Sequence, residues 1–371
     1  MAPDPDLAPD ATSRADGGSE TVAAVSDLPA PTVVSALPAP EPTAPPQAVR
    51  GPRARHEWMD TLRGGAILLM LLWHAVSIPR IEGVDVPAWL VAFNDALLPF
   101  RMPTLMFLSG LLLPRSLAKP TATYYRGKIA LIAWPYLVWV WIFLAIDGTN
   151  GYPWWTPQLY IAKSYLWFLF YIGCFYAVAP LLRRLPAWVP PLTMLVACVV
   201  VTAYLPHRML FYGVFFFTGA WVARSVPDVP ALLRGRRVLV AVLAAAALGF
   251  AVASGIDRGV NYDPLFVPLS LAGVAVAVLG AASLSHRSTA ALRYVGRSSI
   301  VYYASHFPVM LGVVAVCLAV DAPWWVTVPA LVLAGLAVGT LLTALRDRVP
   351  VRWLFEAPFL ARRPRVSPTG G

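Results

Sequence analysis

Four ionisable side chains sit inside or at the mouth of long apolar runs: Arg63, His74, Arg101 and His306. Such groups are costly in an apolar setting, so each is a candidate for chemistry. Arg63 and His74 are eleven residues apart. On a helix that is nearly three full turns, so both project from one face, about 16 Å apart along the axis. A cation at the mouth suits an anionic donor such as a nucleotide-bearing coenzyme. An imidazole at depth, away from bulk water, suits a general base. The pantetheine arm of such a coenzyme has roughly the reach between them. His306 lies nine residues past Arg297, about 13 Å along a helix. It shares the level of His74 if their helices are neighbours. Arg101 has two readings, a headgroup contact by snorkelling or a lining residue of an outward vestibule.

The elements that position these residues are membrane spans. Of 371 residues, 58% are hydrophobic and only 13% charged, against about 25% charged in soluble domains. Ten apolar runs recur: 64–81, 96–114, 128–147, 164–182, 188–205, 209–225, 237–255, 265–284, 297–319 and 324–345. Each is long enough, or nearly so, to cross a ~30 Å hydrocarbon core, and in lipid each must be helical. The expected fold is all-α and polytopic, with about ten transmembrane helices. Pro103, Pro135, Pro268 and Pro308 mark kinks, and no internal repeat is visible.

Charge sets the orientation. With the N-terminus inside, 24 Lys and Arg residues fall on the inner side and five (Arg80, Arg101, Lys163, Arg208, Arg258) on the outer. Both termini are then cytoplasmic. Trp89, Trp154, Trp155, Trp324 and Trp325 gather at the outer interface. Residues 1–53 form a Pro/Ala-rich tail; the first 50 hold ten prolines and seven acidic residues without apolar period, which predicts disorder. A signal peptide is not expected, since no basic segment precedes an apolar one. The membrane domain is expected over 54–348, and 349–371 as a basic cytoplasmic tail.

The net charge of +10 does not signal a nucleic-acid partner, because the cations lie between apolar runs. Cys174, Cys198 and Cys317 all lie in apolar segments, with neither a disulfide framework nor metal-ligand spacing. The chain has no Gly-x-Ser-x-Gly elbow, Walker loop or His-Glu-x-x-His pair. No metal is expected. Ser109, beside Gly110, reads as a small packing residue before it reads as a nucleophile.

The string WMDTLRGGAILLMLLWHA resembles the opening helix of the acyltransferase-3 family, whose hallmark is a basic residue, ten residues, then His. FRMPTLMFLSGLLL resembles its second-helix signature, YLWFLFYI its Trp-Phe-Leu segment, and YVGRSSIVYYASHFPVML its late Tyr…His helix. The resemblance runs from about residue 54 to 345. It implies a membrane O-acyltransferase that moves acetyl from acetyl-CoA to a hydroxyl of a sugar, cell-envelope glycan or glycosylated metabolite. It implies His74 as the catalytic histidine and Arg63 as the basic mouth residue; the reading of the residues adds His306 as a second catalytic residue and places acyl-CoA phosphates near Arg63, Arg126 and Lys128. Acceptor contacts are assigned to Arg101, Asp60 and Ser109. Two departures stand out. Arg101 replaces a frequent His before Met-Pro, and Lys128 and Leu131 occupy a frequent Arg-x-x-Arg pair. Kinked spans and buried ionisable groups also fit a transporter or flippase, which the absent repeats and the Arg63–His74 pair disfavour. High Ala, Arg and Pro usage suits a GC-rich genome, and the expected address is the cytoplasmic membrane of a bacterium. Acceptor identity, acyl chain and oligomeric state stay open.

The charge split makes a prediction. Single cysteines placed at either end and in the Arg234–Arg237 loop should resist an impermeant thiol reagent in intact cells. Labelling of the C-terminus from outside would overturn the ten-span arrangement.

Overall fold

A computed structural model describes residues 57–284 and 286–360; the expected tail 1–53 lies outside them, as do residues 361–371. No strand occurs among the described residues. Eleven helical segments carry the fold: α1 Glu57–Ile81, α2 Ala88–Leu117, α3 Thr121–Asp147, α4 Ser164–Leu182, α5 Val189–Val200, α6 Tyr204–Ser225, α7 Arg237–Ile256, α8 Pro264–Ser283, α9 Ala290–Arg297, α10 Ser299–Ala319 and α11 Trp324–Ala344. Eight of them, all but α5, α6 and α9, are long and apolar enough to cross a membrane. α6 has 22 residues, but its first two turns carry His207 and Arg208; α5 has only 12. The chain is a helical, multi-pass membrane protein. Each of the ten expected runs falls on a helix, but the run 297–319 is split at Ser298 into α9 and α10. His306 therefore lies seven residues into its own helix, and its depth cannot be reckoned along a straight axis from Arg297.

Proline shapes the spans. α2 is interrupted after Ala96 and again after Leu111. Pro99 and Pro114 have no N–H to give the carbonyls of Asp95 and Gly110, four residues back. The freed Asp95 carbonyl accepts from Ser254 Oγ at 2.6 Å. In α3, Pro135 cannot serve the Leu131 carbonyl, and Ile129–Ala133 widens into a π-helical turn.

α1 is the hub. It packs against α2, α8, α9, α10 and α11. Two reciprocal glycine contacts set how closely helices approach. A Cβ on Gly64 would collide with the Leu292 carbonyl, and one on Gly296 with the Asp60 carbonyl, which locks α1 to α9. Gly110 against Phe216 and Gly219 against Phe107 do the same for α2 and α6. Small residues matter here because lipid supplies no hydrophobic drive between helices, leaving contact packing to hold them.

The segment after α11 does not leave the body at once. Trp134 Nε1 donates to Trp353 O at 2.7 Å, and Ala357 N to Ala130 O at 3.1 Å. Phe355 and Ala357 are buried. Residues 351–360 are thus docked on the π turn of α3. Trp89, Trp154, Trp155 and Trp325 are exposed at the end opposite Arg63.

Gly64→Ala should lower stability by about 1–3 kcal/mol through overpacking against Leu292. Gly65→Ala, with open space at its Cβ, should leave it unchanged or slightly raised. Thermal unfolding of both variants in detergent checks this; equal behaviour would remove the close α1–α9 approach as a constraint.

Candidate active site

α1 and α10 bring the two histidines together. The His74 and His306 ring centroids lie 4.8 Å apart, and His306 Nε2 is 3.2 Å from His74 Nδ1. Proton positions follow from what each partner can accept. His306 Nδ1 lies 2.7 Å from Tyr303 O and 3.2 Å from Tyr302 O. Carbonyls only accept, so Nδ1 carries the proton, and Nε2 of the neutral ring is bare. His74 Nδ1 lies 3.0 Å from Met70 O, so it too carries its proton, shared between that carbonyl and His306 Nε2. This leaves the lone pair on His74 Nε2, which has no protein partner among the described residues. His306 is fully buried, whereas His74 keeps partial exposure.

Aromatic groups fix both rings. Phe307 meets His74 edge-on at 5.3 Å, and Tyr165 meets His306 edge-on at 5.4 Å. Tyr165 stacks on Phe307 at 4.7 Å and donates to Ala304 O at 2.8 Å. Tyr303 OH donates to Tyr165 O and accepts from Phe168 N. Sequence reading missed Tyr165, Tyr303 and Phe307. Tyr303 was within reach, since it precedes His306 by three residues and so shares its face. Tyr165 lies in the Trp-Phe-Leu segment, whose spacing says nothing of its partner across the bundle.

The inner end of α1 holds the second half of the arrangement. Arg63 Nη2 donates to Leu108 O at 3.4 Å, and Arg63 Nη1 pairs with Asp60 Oδ1 at 3.7 Å. Asp60 is buried beside Arg63 at the end far from Arg101. A cavity of about 160 Å³ opens here, lined among others by Arg63, Ile67, Ser109, Ile132, Tyr176 and Tyr303. Lys128 Nζ sits 3.3 Å over the Tyr176 ring and donates to Ser116 Oγ at 3.3 Å. Arg63 therefore lines this cavity, and Lys128 borders it through Tyr176. Arg126 does not. It lies two residues from Lys128, about 200° around the helix, and faces a separate cavity of about 490 Å³ with Lys119, Arg352 and Glu356. Ser109 donates its hydroxyl to Leu105 O at 2.8 Å, within its own helix, and its carbonyl accepts from Tyr176 OH at 3.0 Å.

Arg101 is not at the headgroups. It is 3% exposed, donates to Leu69 O at 3.3 Å and lies 4.6 Å over the Trp73 ring. Trp73 immediately precedes His74, so Arg101 sits beside the histidine pair at about its level on α1. It lies within electrostatic reach of His74. The snorkelling reading is thus replaced by a buried one.

The site is therefore axial. A cavity lined by Arg63 ends at Ile67 and Tyr303, two turns of α1 and one of α10 short of the histidines, and the buried Arg101 guanidinium stands beside them. Among the described residues no group of His, Cys, Asp or Glu is arranged to hold a metal ion. No curated protein and no solved structure matches the chain. A family model described as an acyltransferase domain matches residues 56–344, which contain every residue of this site. The chain belongs to the acyltransferase-3 family and is a membrane-spanning acyltransferase.

Proposed function

We propose that the protein transfers an acyl group, acetyl in our reading, from acyl-CoA to a hydroxyl of a sugar or glycan. One observation carries this reading: the chain from Tyr303 O through His306 to His74 leaves a single imidazole lone pair, on Nε2, between the two ends of the site. The acceptor hydroxyl gives its proton to His74 Nε2 as its oxygen attacks the thioester carbon. The C–S bond then breaks. The CoA thiolate leaves and takes the proton from the imidazolium. As His74 becomes positive, its Nδ1–H bonds to Met70 O and His306 Nε2 strengthen, which favours the charged state over the neutral one.

In this reading the donor enters at the inner end. Arg63 and Lys128 attract its phosphates, and Asp60 holds Arg63 in place. A cavity of about 160 Å³ suits a short acyl group and its slender arm. Ser109 supports the cavity wall through Tyr176 rather than touching the acceptor. Arg126 meets the donor only at its outermost part, if at all, since it faces the neighbouring cavity. The inner end is the cytoplasmic one by the Lys and Arg count, with both termini on that side. The membrane is the cytoplasmic membrane of a bacterium.

His74→Gln should keep expression and insertion but lose 10²–10⁴-fold in acyl transfer, the usual share of general-base assistance. His306 is a positioning residue. His306→Leu should cost about fivefold, the worth of one hydrogen bond of ~1 kcal/mol. His306→Gln, which can donate to Tyr303 O and accept from His74, should recover most of that. Arg63→Ala should raise the KM for acetyl-CoA. Initial rates of CoA release against acetyl-CoA concentration, at matched protein level, check all four. A near-normal rate for His74→Gln would overturn the base assignment.

A further inference from the structure

The flank of the histidine pair at Arg101 holds more positive charge than the protein itself balances. Arg101 is 3% exposed and has five N–H donors, of which only one meets an acceptor among the described residues, Leu69 O at 3.3 Å. No carboxylate among the described residues lies within ion-pair distance of it. The nearby Asp95 is committed to Arg258, with Oδ1 3.3 Å from Nε. Arg258 lies 4.8 Å from the centre of the same Trp73 indole that Arg101 approaches, so one ring serves two guanidiniums.

A third guanidinium joins them. Arg208 donates to Tyr204 OH at 2.5 Å and to Tyr262 OH at 3.3 Å, and lies 5.0 Å over Trp167 and 4.7 Å over Tyr262. Arg258 and Tyr262 are the two ends of one five-residue 3₁₀ turn, which packs against the piece of α2 that carries Arg101. Tyr212 and Tyr262 lie within electrostatic reach of both Arg101 and Arg208. Arg101 and Arg258 thus share one carboxylate, Asp95, and Arg208 stands next to them across Tyr212 and Tyr262. Cation–π contacts orient a guanidinium but leave its charge in place. Burying a cation without a counterion is expensive, and a protein sustains it only where something else supplies the anion.

A second observation points to the same place. Asn94 Oδ1 and Arg208 Nε are buried with no hydrogen-bond partner among the described residues, and Asp95 Oδ1 has only its ion pair with Arg258. Asn94 and Asp95 are both under 5% exposed, and Asn94 Nδ2 reaches Trp73 O at 3.5 Å. Donors and acceptors are therefore left over in the same shell as the surplus charge. That is the complement of a polyhydroxylated anion: acidic oxygens for the guanidinium forks, hydroxyls for the amide and carboxylate oxygens.

We infer that this cluster is the acceptor subsite, and that the acceptor is an anionic sugar bearing a phosphate or carboxylate, held by Arg101 and Arg208. The inference rests on the acyl-transfer reading and adds to it the charge of the second substrate. Arg101 sets the anion beside Trp73, and the next residue, His74, then faces a hydroxyl on the same sugar ring. A phospholipid headgroup carries the same phosphate chemistry, so the test separates the two sources.

The probes are α-D-glucose 1-phosphate, methyl α-D-glucuronide and, as the neutral match, methyl α-D-glucoside. Binding is read by tryptophan fluorescence, with Trp73 and Trp167 inside the cluster, on full-length protein in phosphatidylcholine nanodiscs. At least one anionic probe should bind about tenfold or more tightly than methyl glucoside. Arg208→Met and Arg101→Met should lose that preference, and Arg101→Lys should keep part of it. If Arg101→Met does not fold, the more exposed Arg208→Met decides. Equal binding of neutral and anionic probes, or an unchanged preference in Arg208→Met, would overturn the inference. So would loss of the preference in phosphatidylglycerol nanodiscs, which would assign the cluster to a lipid headgroup. His74→Gln should retain the preference while losing transfer. Anion preference in a wild-type protein that transfers no acyl group would support the subsite and sink the acyl-transfer reading instead.

Discussion

The direction of one hydrogen-bond chain governs the site. It begins at the Tyr303 carbonyl, a backbone atom that cannot donate, and runs through both rings of His306 and His74. Because its origin is fixed, the proton on each ring is fixed, and the basic lone pair emerges on one atom. Reversing any link would point two lone pairs or two protons at each other. The aromatic neighbours serve this chain. Tyr165 and Phe307 block ring rotation, and Tyr303 is tied down at its hydroxyl by Tyr165 and Phe168. Rotation of either imidazole would lose both its backbone and its inter-ring bond.

Such a chain tolerates little drift between α1 and α10, and the packing explains why drift is small. α1 is seated on α9 by backbone contact at Gly64 and Gly296. α9 passes directly into α10 through Ser298, so the position of α10 is referenced to α1 by the shortest available path. On the far side, Gly335 of α11 leaves room for Leu71, Met310 and the Cβ of His306. Residues without side chains thus stand behind the histidine pair on two sides. In lipid this is a sound way to gain rigidity, because close helix contact replaces the hydrophobic drive that water would give.

Much of this was legible in the sequence, for reasons that differ by residue. The Arg63–His74 relation could be read because both residues lie on one uninterrupted helix, where spacing alone gives face and depth. Pro135 announced irregular backbone, though not what would satisfy the freed carbonyl, while the breaks at Pro99 and Pro114 went unread. The contact between His74 and His306 depends on which helices are neighbours, and no spacing within either helix contains that. The break at Ser298 was hidden for a related reason: nothing in an apolar run distinguishes one helix from two that meet at a bend. Arg126 was grouped with Lys128 by proximity in the chain, yet two residues on a helix face nearly opposite ways. The docked segment 351–360 was equally invisible, since its anchors are backbone bonds to α3 and one buried Phe355.

The axial layout has an electrostatic logic. An acyl-CoA donor is strongly anionic, and the cationic cluster around Arg101 calls for an anionic acceptor as well. Two anions in one pocket of low dielectric would repel strongly. Here the cations come in two groups on one helix. Arg63 lies at one end of α1, and Trp73, with Arg101 and Arg258 against it, lies ten residues further, about 15 Å along the axis. In the proposed reading His74, the residue after Trp73, stands beside the acceptor's cations, and only the donor's slender arm and acyl end occupy the space between. In that proposed reading each anion is held against its own guanidiniums, and the two meet only through the atoms that react. The same separation explains why the donor arm must be long and thin and why the basic nitrogen lies deep rather than at either mouth. A base at the inner mouth would sit among phosphates, and one at the outer mouth would lie out of reach of the thioester.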